Sequence, residues 1–261
     1  MNEKTSTAKK KTKESKASPK NETALTKVLF INGSPHLDQG ATGSVISAFE
    51  EGMRRANPMI TKKNVYELNI KPCIGCFSCW GKTAGECIQK DDMESMLPLV
   101  AETDVLILAT PVYVDGMTGS LKTFLDRLIP LVKGGVELRE NHMRHIPRKL
   151  RSGKMVLLSV SGFSELDNFD PLVAHIKAAA RNLNREYVGE VLVPSAWYLP
   201  HVKQGYDAVY DLIVSAGKSL MEKGAIPDIS DRIASWVNRD EVVAALNNYY
   251  GREHGHHPLE K

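Results

Sequence analysis

The four cysteines of this 261-residue chain are spaced Cys73-x2-Cys76-x2-Cys79-x7-Cys87, and no other cysteine occurs. Three thiolates at two-residue intervals can wrap three corners of an iron–sulfur cubane, and a fourth completes the ligand set. Gly75 and Gly81 let such a segment bend. Four sulfurs also suit a tetrahedral zinc ion, a redox disulfide pair, or thiols that carry no metal. A disulfide framework would spread its cysteines along the chain, so local clustering in a chain expected to be cytoplasmic favours metal binding or redox chemistry. Trp80, next to Cys79, is expected to pack into the core or to shield a redox group.

A second chemically suggestive stretch is Gly33-Ser34-Pro35-His36-Leu37-Asp38-Gln39-Gly40-Ala41-Thr42-Gly43-Ser44. It follows the apolar run KVLFIN and precedes a helical pattern. The start of a helix leaves backbone N–H groups unpaired, and the helix dipole favours an anion there. Ser34, Thr42 and Ser44 add hydroxyl donors. The stretch has neither the Walker lysine pattern nor G-x-G-x-x-G. The single phosphate of FMN is the remaining fit, with an ordinary polar turn as the alternative.

Two further loops follow apolar runs. TPVYVDGMTGSLKTFLDR (110–127) places Pro111 where a planar ligand could lie against backbone, Tyr113 where it could stack on or edge a ring, and Gly116 and Gly119 where they allow close approach. Thr118 is expected to cap the next helix. Lys122 and Arg127 are expected to be surface or ion-pairing groups. Ser161-Gly162-Phe163 follows the run KMVLLSV.

These loops need a scaffold. KVLFIN, NVYELN, DVLILAT, KMVLLSVSG and YVGEVLVPS predict five strands. Helical spacing fills 44–57, 91–102, 119–132, 170–183, 206–223 and 230–249, with Pro130 ending or kinking the third of these. Apolar strands alternating with helices predict an α/β fold: a doubly wound, five-stranded parallel sheet of order 2-1-3-4-5 with helices on both faces. In such a sheet ligands bind beyond the carboxyl ends of the strands, where all three loops fall. Residues 133–152, with Lys133, Arg139, Arg144, Arg148, Lys149 and Arg151, are expected to be irregular, as a subunit contact or an active-site lid.

Eight of the 34 Lys and Arg residues lie in the first 27 positions, so the net charge of +3 belongs to that end and the remainder is mildly acidic. A nucleic-acid partner is not expected. No apolar run approaches the ~18 residues of a membrane span, so neither a transmembrane helix nor a secretory signal is expected. Three segments are expected: a Lys/Ser/Thr-rich disordered tail (1–25), a ligand-binding α/β domain (26–227), and a C-terminal helix and tail (228–261). HGHH at 254–257 is expected to be an exposed tail rather than a metal site.

The succession GSPH–G–T, PCIGCFSCW–C–DDM and PVYVDGMTGSLKTFLDR resembles the NAD(P)H-dependent FMN reductase family of flavodoxin-like proteins, and its cysteine segment resembles the iron–sulfur flavoprotein branch. The resemblance covers about residues 27–200. It implies an FMN phosphate site at Ser34, His36, Thr42, Gly43 and Ser44. It implies a flavin border at Pro111, Val112, Tyr113, Val114 and Met117, with Ser161 and Gly162 at the ring edge. Cys73, Cys76, Cys79 and Cys87 would hold a [4Fe–4S] cluster. The implied activity passes electrons from NAD(P)H or ferredoxin to a small acceptor such as a quinone or flavin, in a homodimer or homotetramer. The alternatives are an electron-transfer flavoprotein without catalysis, or a binding module that has lost FMN. The family pattern has Arg at His36 and often Asn at Ala41, and both departures fall on the phosphate site.

Overall fold

The computed structural model describes residues 25–148 and 150–250. The tail expected at 1–25 lies, apart from Leu25, outside the described residues, as does the His-rich 254–257.

The core is a parallel sheet of β1 (Lys27–Asn32), β2 (Met59–Asn64), β3 (Val105–Pro111), β6 (Gly153–Val160) and β7 (Arg185–Val193). Its order is β2-β1-β3-β6-β7, the expected flavodoxin-like 2-1-3-4-5 arrangement. An antiparallel hairpin, β4 (Val132–Arg139) and β5 (His142–Pro147), stands apart from it. The helices are α1 (Ala41–Met53), α2 (Met93–Glu102), α3 (Gly119–Asp126), α4 (Asp170–Asn182), α5 (Lys203–Lys223), α6 (Ser230–Ala234) and α7 (Arg239–Tyr250).

Side chains alternate across a strand, so the unbroken apolar runs bury both faces of the sheet. Val28, Phe30, Val105, Ile107, Val156, Leu158, Val191 and Val193 pack with α1 and α5 on one face. Leu29, Ile31, Leu106, Leu108, Met155 and Leu157 pack with α2, α3 and α4 on the other. α1 and α5 cross at two glycines. A Cβ on Gly52 would lie 1.9 Å from the Val214 carbonyl oxygen, and one on Gly217 would lie 2.1 Å from that of Phe49. No helix among the described residues is long and apolar enough to cross a membrane.

Three elements differ from the sequence expectation. The second strand is MITKKN (59–64) rather than NVYELN, and Val65–Glu67 form a 3-10 turn begun by the Asn64 side chain, which accepts from Tyr66 N (2.8 Å). Its exposed Lys62 and Lys63 suit an edge strand and mask its apolar pattern. Residues 133–152 are mostly an ordered hairpin, whose turn residues Glu140 and Asn141 both adopt the left-handed region (φ 52° and 60°) that two-residue hairpin turns require. The helix expected over 230–249 is two helices, because Asn238 accepts from Asp240 N (3.0 Å) and starts a new one.

Candidate active site

The first loop is folded tightly on itself and then opens into α1. Asn32 accepts from Ser34 N (2.9 Å) and donates to the Leu37 carbonyl (3.0 Å), while Ser34 Oγ accepts from His36 N (3.2 Å). Ser34, Thr42 and Gly43 are buried, whereas His36 and Ser44 are exposed. A Cβ on Gly43 would lie 2.3 Å from the Asp38 carbonyl oxygen, so only glycine permits this closure. Gly40 precedes α1 without a side-chain cap, leaving first-turn amides for an anion. A largely apolar recess of about 340 Å³ adjoins the loop, bordered by Gly40, Ala41, Trp197, Tyr206 and Tyr210.

Hydrogen bonds tie the second loop to the first and to the end of β6, and the third loop to the end of β7. Thr118 caps α3 as expected, and its hydroxyl also donates to the Gly33 carbonyl (2.8 Å). Val112 N donates to the Val160 carbonyl (2.8 Å), and Ser161 N to the Val193 carbonyl (3.1 Å). Tyr113 and Gly116 exchange backbone hydrogen bonds of 2.9 and 3.2 Å across Val114 and Asp115, both in the left-handed region (φ 48° and 58°). Val114 is 99% exposed and Tyr113 47%. Pro111 and Val112 are half-buried, and Met117 points into the core with Leu121 and Phe124. Gly162 accepts from the indole of Trp197 (2.9 Å), and Phe163 beside it is 62% exposed. The three loops thus form one aromatic and apolar rim at the carboxyl edge of β1, β3 and β6.

The cysteine segment lies against the chain just past the end of α3. All four cysteines line one small apolar cavity with Ile74, Phe77, Ile88, Ile129 and Pro130. Among the described residues, no three His, Cys, Asp or Glu side chains converge as a single metal ion requires. The Ser78 amide lowers the thiol pKa of Cys76. Burial, and then the neighbouring sulfurs, led by that of Cys87, raise that of Cys79. Trp80 stacks on Phe77 (centroids 4.8 Å), meets His145 of the hairpin (4.6 Å), and donates from Nε1 to the Ile129 carbonyl (3.3 Å). The hairpin therefore buttresses the cysteine loop.

The pattern of the NADPH-dependent FMN reductase family matches residues 26–166, which include both the phosphate loop and the cysteines. The chain belongs to that family. An iron–sulfur flavoprotein of Archaeoglobus fulgidus is 38% identical over 104 residues, covering 40% of this chain and 46% of that protein. Another, from Methanocaldococcus jannaschii, is 38% identical over 117 residues, covering 43% and 56%. The chain thus spans about half the length of these relatives. An FMN-dependent NADH-azoreductase from Bacillus anthracis, solved with FMN, shares the fold with a TM-score of 0.58 at 18% identity, over 76% of this chain and all of that one.

In this FMN reductase family member the least legible part of the site is Arg127. It takes the expected ion-pairing role, but in the interior rather than at the surface: its side chain is 1% exposed, and that of its partner Asp91 is fully buried. Its Nη1 and Nη2 reach the two Asp91 oxygens at 2.6 and 2.9 Å, Nη1 also meets the Lys71 carbonyl, and Nη2 lies 3.4 Å from Cys87 Sγ. Burial works against both charges. The Asp91 hydrogen bond and the Cys87 sulfur still hold the guanidinium pKa above its usual value. The Arg127 hydrogen bond and the amides of Lys71 and Met93 hold the carboxyl below its own. DDM at a helix start was the available signal, but it points to capping rather than to a buried pair.

Proposed function

We propose that this chain is an FMN-dependent oxidoreductase that takes electrons from NAD(P)H or a ferredoxin and delivers them to a small acceptor such as a quinone or a flavin. One observation carries the reading: three loops, cross-linked by Thr118–Gly33 and Val112–Val160, converge around an uncapped helix start at the carboxyl edge of a doubly wound sheet. The names of its relatives support it.

The donors present suit the groups involved. Amides at the start of α1, with Ser34 and Thr42, would hold the FMN phosphate. Tyr113, Val114, Ser161 and Gly162 would border its ring. Cys73, Cys76, Cys79 and Cys87, which border one small cavity, would hold a [4Fe–4S] cluster. Bound FMN supplies hydride and single-electron chemistry, and the cluster single-electron transfer. The protein's own share is position: the loop hydrogen bonds fix the backbone that would border these groups.

The test is anaerobic purification, with flavin, iron, sulfide and zinc analysis, followed by mixing with NADH, NADPH or reduced ferredoxin. The expected result is a yellow protein with one FMN and about four irons and four sulfides per chain, bleached by one of these donors. A protein that cannot be reconstituted with FMN overturns the reading.

A further inference from the structure

We propose that Arg127 is the positioning residue for Cys87: it holds that sulfur as the fourth cluster ligand and raises the cluster's reduction potential through a hydrogen bond to it. The proposal rests on the cluster reading above.

Three of the cysteines are placed by their own short loop. Cys87 is not, because seven residues separate it from Cys79. Within that gap, Thr83 N donates to the Ser78 carbonyl (2.9 Å) and Gly85 N to that of Cys79 (2.8 Å), which shapes the turn but leaves the Cys87 side chain unaddressed. Arg127, at the end of α3, reaches it from outside the segment at 3.4 Å.

The guanidinium is itself immobilised. Asp91 grips it with both oxygens while accepting from Lys71 N (3.0 Å) and Met93 N (3.2 Å). The pair therefore pins the chain two residues before Cys73 and four residues after Cys87. A sealed Arg–Asp pair is rarely more stable than apolar side chains of the same volume, so fold stability alone gives little reason for it here. Only the planar fork of arginine carries enough fixed donors to serve a carboxylate, a carbonyl and a sulfur together. A hydrogen bond to a cluster sulfur offsets the negative charge of the reduced state, which makes reduction easier.

The test compares wild type with Arg127→Lys and with the double variant Arg127→Gln/Asp91→Asn, which leaves no buried lone charge. Each is reconstituted anaerobically with iron and sulfide. The readouts are iron per chain, the rate of iron loss to a ferrous chelator, the cluster midpoint potential and FMN per chain. Both variants are expected to keep FMN, to lose iron about 10–100-fold faster, and to show a more negative midpoint, with lysine less affected than the double variant. Wild-type midpoint and iron loss in both variants would overturn the proposal. Loss of FMN together with iron in both would mark a purely structural pair and overturn it too. A wild-type chain that takes up FMN but no iron removes the cluster reading itself, a result visible before any variant is made.

Discussion

Arg127 and Asp91 meet through paired hydrogen bonds of 2.6 and 2.9 Å, sealed from solvent, between the end of α3 and the start of α2. Cutting one side of such a pair strands the other charge. Asp91→Ala should therefore destabilise the fold by about 3–5 kcal/mol, read from urea unfolding. The acid response has a definite sign. The Asp91 carboxyl is held below its usual pKa, although burial opposes this, by Arg127 and two amides. Its contribution is complete above the unfolded value of about 3.9 and is lost as the pH falls through the folded one. Stability below about pH 4 should fall less steeply in Asp91→Asn than in wild type. Parallel pH curves would show that the pair carries no linkage.

The sheet was legible because its three inner strands, β1, β3 and β6, are apolar runs, which only a two-sided core explains. The three loops followed from the ends of those runs. The burial and the partner of Arg127 were not legible, since a charge at the end of an amphipathic helix has the same local signature whether it faces water or a carboxylate contributed by residue 91. β2 was misplaced because its exposed lysines break the apolar pattern an inner strand would show. The hairpin was hidden by a Glu140-Asn141 turn that lacks the usual glycine.

Gly43 should tolerate no side chain. Its Cβ would fall 2.3 Å from the Asp38 carbonyl oxygen, and that neighbour is backbone that cannot rotate away. Gly43→Ala should weaken FMN binding by about tenfold or more, the equivalent of ~1.4 kcal/mol of loop strain. Flavin fluorescence titration measures this, and circular dichroism should show the sheet and helices intact. Unchanged affinity would mean the loop closure has no part in holding the ligand.

The Thr118–Gly33 hydrogen bond is a buried link between the first two loops. Thr118→Val keeps the shape, removes the α3 cap, and leaves the Gly33 carbonyl without its hydroxyl partner. The cost should be about 1–3 kcal/mol in urea unfolding. FMN affinity should fall with it, because both loops lose their common reference. Thr118→Ser should restore most of both quantities, and failure of that rescue would point to the methyl group instead.

Val114 carries the clearest backbone strain in the site. A β-branched residue at φ 48° is a conformational outlier. At 99% exposure its side chain gains nothing from packing within the chain. Asparagine visits the left-handed region more readily, so Val114→Asn should stabilise the fold by about 1 kcal/mol, or ~2–4 °C in Tm for a domain of this size. FMN titration of the same variant separates two roles. If the turn serves only through its backbone shape, affinity should stay at the wild-type value while Tm rises. If Tm rises and affinity drops, the valine methyls are a ligand contact, and the strain is retained because it presents them at the rim. An unchanged Tm would refute the strain argument in either case.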